Sequence, residues 1–140
     1  MNGALLANLT ATLFLTGLVW TLQVVQFPLM LRAGPDFPDY LKEQRRRNTL
    51  LMAPVMLIEA AAAVRLLFDP RAPHREAFQA LLLLIVIWIV TFASIIPIHS
   101  KLIRGYDEAL VRKLILWNWA RTTCWTLRGA LLLWMVILRD

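Results

Sequence analysis

Cysteine and glycine are scarce in this chain, and each shortage removes a class of site. Cys124 is the only cysteine, so the chain can form no internal disulfide and no thiolate metal centre. The five glycines form neither a Gly-x-x-x-Gly helix-contact motif nor a Gly-rich phosphate loop. Nucleotide-dependent functions such as kinase or ATPase activity therefore have no support.

Charge is also scarce, and it is nearly absent from four long apolar stretches. These stretches cover residues 4–31, 49–68, 78–102 and 114–138, and 59% of the chain is hydrophobic. Soluble domains average about 45 to 50% apolar residues, whereas a helix of about 20 apolar residues crosses a hydrocarbon layer roughly 30 Å thick. The sequence therefore predicts an all-α fold, a four-transmembrane-helix bundle in which residues 1–140 form a single domain.

The basic residues flank these stretches unequally. Most of them fall in the first and third connections: Arg32, Lys42, Arg45, Arg46, Arg47, Lys101, Arg104, Arg112 and Lys113. Because cytoplasmic loops carry the excess of Lys and Arg, both termini are predicted outside, on the periplasmic face of a bacterial inner membrane. The net charge of +6 then indicates contact with anionic headgroups of the lipid bilayer, and we expect no nucleic-acid partner.

The first connection has helical character of its own. Gly34 and Pro35 indicate a turn, after which residues 38–48 are predicted to form a short interfacial helix between the first two spans. Tyr40 and the basic run at residues 45–47 fit the headgroup level. We interpret this segment as an anchor, with a specific phosphate or partner site as the alternative.

Polar residues inside the apolar stretches are the main indication of function, because an unpaired charge in hydrocarbon is costly. Asn118, Arg121, Trp125 and Arg128 recur at spacings of three and four, so they share one face of the fourth helix. Glu59 lies at an intermediate depth, and it can pair with either arginine. One carboxylate facing two guanidinium groups leaves a positive charge that a bound anion would compensate.

The first and third stretches add polar groups at the same level, so all four helices contribute to one layer. Bundle cores of this kind hold ligands, although polar groups in membranes often serve only to join helices. The predicted ligand-binding residues are Trp20, Gln23, Gln26, Glu59, His99, Asn118, Arg121, Trp125 and Arg128. Glu59 and His99 are also the candidate catalytic residues.

Metal ions and cofactors are not expected. A dinuclear centre needs several carboxylates and paired histidines, whereas Glu59 is the only glutamate in the four stretches. His74 and His99 are predicted on opposite faces of the membrane, so they cannot ligate one haem iron together. Cys124 and Ser94 lack an adjacent base for nucleophilic catalysis.

Several motifs along the chain resemble an uncharacterised family of small bacterial four-helix integral membrane proteins. They are Trp20-x-x-Gln23-x-x-x-Phe27-Pro28, Pro54-x-Met56-x-x-Glu59, Pro97-x-His99-x-x-Leu102 and Asn118-Trp119-x-Arg121. The third and fourth helices are also distantly similar to the anthrone-oxygenase-like family. That similarity implies oxygenation of an aromatic substrate without metal or flavin, with the substrate among Trp20, His99, Arg121 and Trp125.

Three functions follow from these features. The favoured one is an accessory membrane protein whose polar, net-positive cavity opens toward the cytoplasm and binds a small anionic or quinone-like amphiphile. The alternative is a cofactor-independent oxygenase in which Glu59 or His99 removes a proton and Arg121 stabilises the anion. The third is a scaffold subunit, either a homo-oligomer or part of a larger membrane complex.

Overall fold

Four long helices make up nearly all of the structure, a computed structural model that describes residues 3–32 and 37–139. The helices are α1 (Gly3–Arg32), α2 (Phe37–Leu67), α3 (His74–Arg104) and α4 (Glu108–Arg139). No strand occurs in these two ranges. The predicted all-α, four-helix architecture is confirmed.

Three of the four helices are long and apolar enough to cross a membrane. Their mean hydropathies are 1.6 for α1, 2.0 for α2 and 2.8 for α3. Helix α4 has a similar length of 32 residues, but Arg121 and Arg128 lower its hydropathy. The chain therefore has the composition of a membrane protein, and α4 differs from the other helices in carrying two arginines within its apolar stretch.

The segment predicted as a short interfacial helix that runs into the second span forms the start of α2. Residues 37–48 form its first three turns and continue into the apolar part without a break. Phe37 and Leu41 are buried in this segment, so its inner face packs against the bundle. The turn predicted at Gly34 and Pro35 lies outside the described residues.

Helices α1 and α3 share an unusual local feature, a single wide π-helical turn. The turns span Leu22–Gln26 and Thr91–Ile95, and each is closed by a backbone N–H that reaches five residues back, from Phe27 to Leu22 and from Ile96 to Thr91. A proline follows each turn, at Pro28 and Pro97. Since proline lacks an N–H and disturbs the preceding turn, the wide turn accommodates it without ending the helix.

The two wide turns belong to a repeat that relates the hairpin α1–α2 to the hairpin α3–α4. Equivalent positions are 69 residues apart, which is also the separation of Glu59 and Arg128. These two residues contact each other, and so do Phe37 and Tyr106, which have the same separation and whose rings pack edge to face at 5.1 Å. In both pairs the equivalent residues face each other across the bundle, which is the arrangement of two hairpins related by a pseudo-two-fold axis.

The helices form a square in which each one packs against its two neighbours. Helix α1 contacts α2 and α4, and helix α3 also contacts α2 and α4. The apolar core is divided into two clusters. One contains Leu15, Leu102 and Trp125, and the other contains Leu66 and Leu132. Buried polar side chains lie in the core beside them, and they form the candidate site.

Candidate functional site

A buried ion pair lies near the centre of the bundle. Arg128 Nη1 is 3.0 Å from Glu59 Oε2, and both side chains are 0% exposed. The sequence left Arg121 and Arg128 open as partners of this carboxylate, and the structure selects Arg128. Because Glu59 and Arg128 are equivalent residues of the two hairpins, the pair lies at the pseudo-two-fold axis.

All four helices contribute to the surroundings of this pair, which we call the ion-pair cluster. Thr12 Oγ1 donates to Glu59 Oε2 at 2.7 Å, and Trp125 Nε1 lies 3.3 and 3.2 Å from the two carboxylate oxygens. Arg128 Nε donates to the Ala80 carbonyl at 3.0 Å, and Arg128 Nη1 also contacts Thr12 Oγ1. Groups from all four helices therefore surround the ion pair.

A second network, the arginine cluster, surrounds Arg121. Its Nε and Nη2 donate to Asn118 Oδ1 at 3.0 and 2.8 Å, and its Nη1 donates to Thr91 Oγ1 at 3.3 Å. Asn118 Nδ2 donates in turn to Gln23 Oε1 at 2.8 Å. Arg121 is 4% exposed, and no carboxylate of the described residues lies within 4.0 Å of it. Its charge is therefore met by neutral acceptors.

The wide turns place two of these polar groups. Gln23 lies in the turn of α1, and Thr91 begins the turn of α3. An extra residue in a turn rotates the side chains after it relative to those before it, which is why such turns occur at functional sites. Both turns direct a polar side chain to α4: Gln23 accepts a hydrogen bond from Asn118, and Thr91 accepts one from Arg121.

A cleft of about 390 Å³ opens between α2 and α3, beside the arginine cluster. Its walls are mainly apolar, with Met52 and Met56 on one side and Trp88 and Phe92 on the other, and Arg121 reaches it from α4. The remaining lining residues are Leu22, Phe27, Arg45, Asn48, Thr49, Ala53, Leu57, Thr91, Ile95, Ile96 and His99. The cleft thus combines an apolar wall with a few polar groups.

The rim of the cleft lies on the outer surface of the bundle. Leu57 and Phe92 line it and are 62% and 59% exposed. At one end, Arg45 Nη1 lies 3.5 Å from Ser100 Oγ and bridges α2 to α3. The cleft therefore opens sideways between the two helices, beyond the point where this contact joins them.

Two ring nitrogens beside the cleft have no hydrogen-bond partner among the described residues. They are Trp88 Nε1 and His99 Nδ1, and both atoms are buried. The His99 ring is tilted against Phe27 with its centroid 5.8 Å away. A buried donor or acceptor without a hydrogen bond is costly. The cleft therefore has two polar atoms beside it whose hydrogen-bonding capacity is unused.

The structure divides the nine predicted ligand-binding residues into separate groups. Glu59, Trp125 and Arg128 belong to the ion-pair cluster. Gln23, Asn118 and Arg121 belong to the arginine cluster, and Arg121 and His99 line the cleft. The two clusters meet where the Arg121 guanidinium lies 5.6 Å from the Trp125 ring centroid.

Trp20 and Gln26 lie apart from this centre. Trp20 is 39% exposed, donates to Thr126 Oγ1 at 2.9 Å and packs edge to face on Trp119. Gln26 Oε1 accepts bonds from Gln44 at 2.9 Å and from Asn48 at 3.3 Å, which joins α1 to the start of α2. These two residues connect neighbouring helices.

Sequence reasoning missed several participants. Thr12 and Asn8 are completely buried one turn apart on α1, and neither amide atom of Asn8 has a partner among the described residues. Their spacing of four in an apolar stretch was the available signal. Trp88 and Met56 carry no such signal, because their side chains suit lipid and protein equally well.

Known proteins supply no further assignment. Among the described residues, no group of three His, Cys, Asp or Glu is placed to hold a metal ion. Comparison of the chain with protein-family models, curated proteins and solved structures gives no match. The two clusters and the cleft are therefore the features of the molecule that indicate function.

Proposed function

We propose that this chain is a multi-pass protein of the bacterial inner membrane that binds a small anionic or quinone-like amphiphile in the cleft between α2 and α3. One observation carries the proposal. The cleft joins an almost completely buried guanidinium, Arg121, to an apolar wall, and its rim at Leu57 and Phe92 lies on the bundle surface. Such a site suits a molecule with a polar head and an apolar body.

The proposed topology has all four helices crossing the bilayer, with both termini outside. Helix α4 is included because it packs along α1 and α3 and turns Arg121 and Arg128 into the bundle. The basic residues support the orientation, since Arg45 and Ser100 join the start of α2 to the end of α3 near Lys101 and the basic run at 45–47. The cleft would then lie in the cytoplasmic half of the membrane.

The polar and apolar parts of the cleft define how the amphiphile would bind. Its head would lie near Arg121 and His99, and its apolar body would lie between Met56 and Phe92. The flexible Met52 and Met56 side chains adapt to different shapes, which suits an apolar ligand of variable structure. Binding of this kind fits an accessory protein that holds or presents a membrane-soluble compound.

A filled cleft tests the proposal directly. Met56→Trp places a large side chain in the cleft, whereas Leu50→Trp adds the same side chain at an exposed position of α2 outside it. Native mass spectrometry of each protein in detergent should show a bound small molecule in the wild type and Leu50→Trp, and about tenfold less in Met56→Trp. Equal occupancy in all three proteins would place the ligand elsewhere.

The oxygenase alternative has one supporting observation, namely that His99 and Arg121 line the same cleft. In this reaction His99 would accept a proton from an activated aromatic substrate, and Arg121 would stabilise the anion. Glu59 is less suited to that role, because it is enclosed in the ion-pair cluster. Oxygen uptake with anthrone-type or quinol substrates should then be lost in His99→Gln, and unchanged rates would remove this alternative.

The scaffold alternative rests on a second surface. Gly3, Ala7, Ala61 and Ala62 form a shallow depression between α1 and α2 that also contacts Arg65. Small residues allow a neighbouring helix to approach closely in a membrane. Crosslinking in native membranes should then give discrete oligomers or a defined partner, whereas monomers alone would count against it.

A further inference from the structure

The two buried arginines of α4 differ in how their charge is met. Arg128 is paired with Glu59 at 3.0 Å, and this pair is completely buried. Arg121, seven residues earlier on the same helix face, has the amide oxygen of Asn118 and the hydroxyl of Thr91 instead. The bundle therefore supplies a carboxylate to one guanidinium and leaves the other without one.

The cleft beside Arg121 contains a second cation and no acid. Arg45 lines it at the end where α2 and α3 are bridged, and none of the lining residues is an aspartate or a glutamate. A guanidinium in hydrocarbon is costly unless an anion compensates it. Each Arg121 nitrogen makes a hydrogen bond, but the two Nη atoms carry further N–H groups beyond the bonds described. A ligand oxygen can accept these.

The size of the cleft restricts the rest of the ligand. A volume of about 390 Å³ is at the lower end of the roughly 300 to 1,000 Å³ typical of ligand pockets. It leaves room for one apolar chain beside the head, and the exposed rim at Leu57 and Phe92 allows a longer chain to continue into the bilayer. A lipid with two chains would have to leave its second chain outside the cleft.

We propose that the amphiphile is a single-chain lipid with one acidic head group, which pairs with Arg121 as Glu59 pairs with Arg128. This inference rests on the proposed function and names the chemical class of its ligand. Arg45 contributes long-range attraction at the open end, and the chain lies between Met56 and Phe92. The head can be a carboxylate, as in a free fatty acid, or a phosphate, as in a lysophosphatidic acid.

The test compares probes that share one photoreactive acyl chain. The purified protein in lipid nanodiscs is crosslinked with a fatty acid, with the corresponding lysophosphatidic acid, with the uncharged methyl ester and with a short-chain quinone. We expect the acidic probe that fits to label cleft peptides of α2 and α3 about tenfold more than the ester does, since a charge-assisted bond contributes about that factor. Which of the two acids is preferred distinguishes the sources.

Variants of Arg121 link this preference to one side chain. Arg121→Gln should reduce acid labelling to the level of the ester and leave ester labelling unchanged. Arg121→Lys retains a cation and should retain part of the preference, which provides a second variant if the glutamine protein does not fold. Arg75→Gln removes an exposed cation at the start of α3, outside the cleft, and should change nothing.

The outcomes separate the two levels of the proposal. Equal labelling of the cleft by acid and ester in the wild type would overturn the acidic ligand and leave amphiphile binding intact. Preferential labelling by the quinone, independent of Arg121, would overturn it in the same way. No cleft labelling by any probe would overturn the proposed function itself.

Discussion

Two interfaces of the bundle occupy equivalent positions in the pseudo-two-fold repeat and yet differ. One is the contact of α1 with α4, which we call the seam, and the other is the cleft between α2 and α3. Hydrogen bonds cross the seam at several levels: Asn118 donates to Gln23 at 2.8 Å, Trp20 donates to Thr126 at 2.9 Å, and Thr16 donates to the Trp125 carbonyl at 3.2 Å. These bonds join α1 to α4 at three levels of the seam.

The cleft has different side chains at the same places. The equivalent residues, each 69 positions away, are Phe92 for Gln23, Thr49 for Asn118, Ile89 for Trp20 and Leu57 for Thr126. Neither pair can form the hydrogen bond of its counterpart. Association of helices in a membrane depends on packing and hydrogen bonds, since lipid is as apolar as leucine. Without such bonds, the interface stays open to an apolar occupant.

Loss of the ion pair should have the largest effect on stability, because this completely buried pair joins the two hairpins at the centre of the bundle. Arg128→Leu leaves Glu59 buried without its cation and should destabilise the protein by about 3–5 kcal/mol. Denaturation by sodium dodecyl sulfate in mixed micelles, followed by tryptophan fluorescence, measures this change. Arg128→Leu combined with Glu59→Leu should lose less than the single variant, and a larger loss would contradict an uncompensated charge as the cause.

The next effect concerns the seam. Gln23→Leu removes the bonds to Asn118 and to the Ile115 carbonyl at a similar side-chain volume, and should cost about 1–2 kcal/mol in the same unfolding assay. Gln79→Leu alters an exposed glutamine of α3 and serves as the control, with a change within about 0.5 kcal/mol. Equal losses in both proteins would show that the seam bonds do not hold α1 to α4.

Introducing the Trp20–Thr126 contact of the seam at the equivalent positions of the cleft should change stability less, and it should clearly reduce access of small molecules to the cleft. Ile89→Trp with Leu57→Thr copies Trp20 and Thr126, so the new indole N–H can donate to the hydroxyl across the rim. Stability should change by less than about 1 kcal/mol. Alkylation of a Met56→Cys reporter in a Cys124→Ala background by a membrane-soluble thiol reagent should slow severalfold, and an unchanged rate would mean that the rim stays open.

The smallest effect is expected at the exposed start of α2, next to the cleft. Arg46 and Arg47 donate hydrogen bonds to Glu43 and hold the pKa of its carboxyl at about 2, below the ordinary 4.5. A lowered pKa in the folded state stabilises at neutral pH, and this contribution is lost as the pH falls from about 4.5 through 2. Thermal unfolding should therefore show Glu43→Gln to be slightly less stable than wild type at pH 7, and the difference should become smaller at pH 2 and in high salt.

The length of the apolar stretches and the positions of the charged residues within them account for most of the correct predictions from the sequence. The stretches around Glu59 and Arg128 predicted helices, and depth along them put this acid and this base within reach of each other. The direction of a side chain was harder to derive, because lipid and protein core are equally apolar. Trp20 illustrates this: it was predicted to line the binding site, but its indole is 39% exposed and lies at the outer edge of the seam.

The repeat and the two wide turns were not accessible from residue types. Pro28 and Pro97 correspond, but most equivalent pairs differ in chemistry, as Gln23 and Phe92 do. The cleft arises from that difference, so it becomes visible only when the helices are placed side by side. The division of polar residues into two clusters likewise depends on Trp125, which binds Glu59 and separates it from Arg121.

The position of the ion pair has a consequence for the independence of the two hairpins. Each hairpin contains one half of the pair, so neither hairpin alone can bury its charged side chain beside a partner of opposite charge. An unpaired buried charge is costly. Glu59 and Arg128 therefore make the folding of each half of the chain depend on the other half.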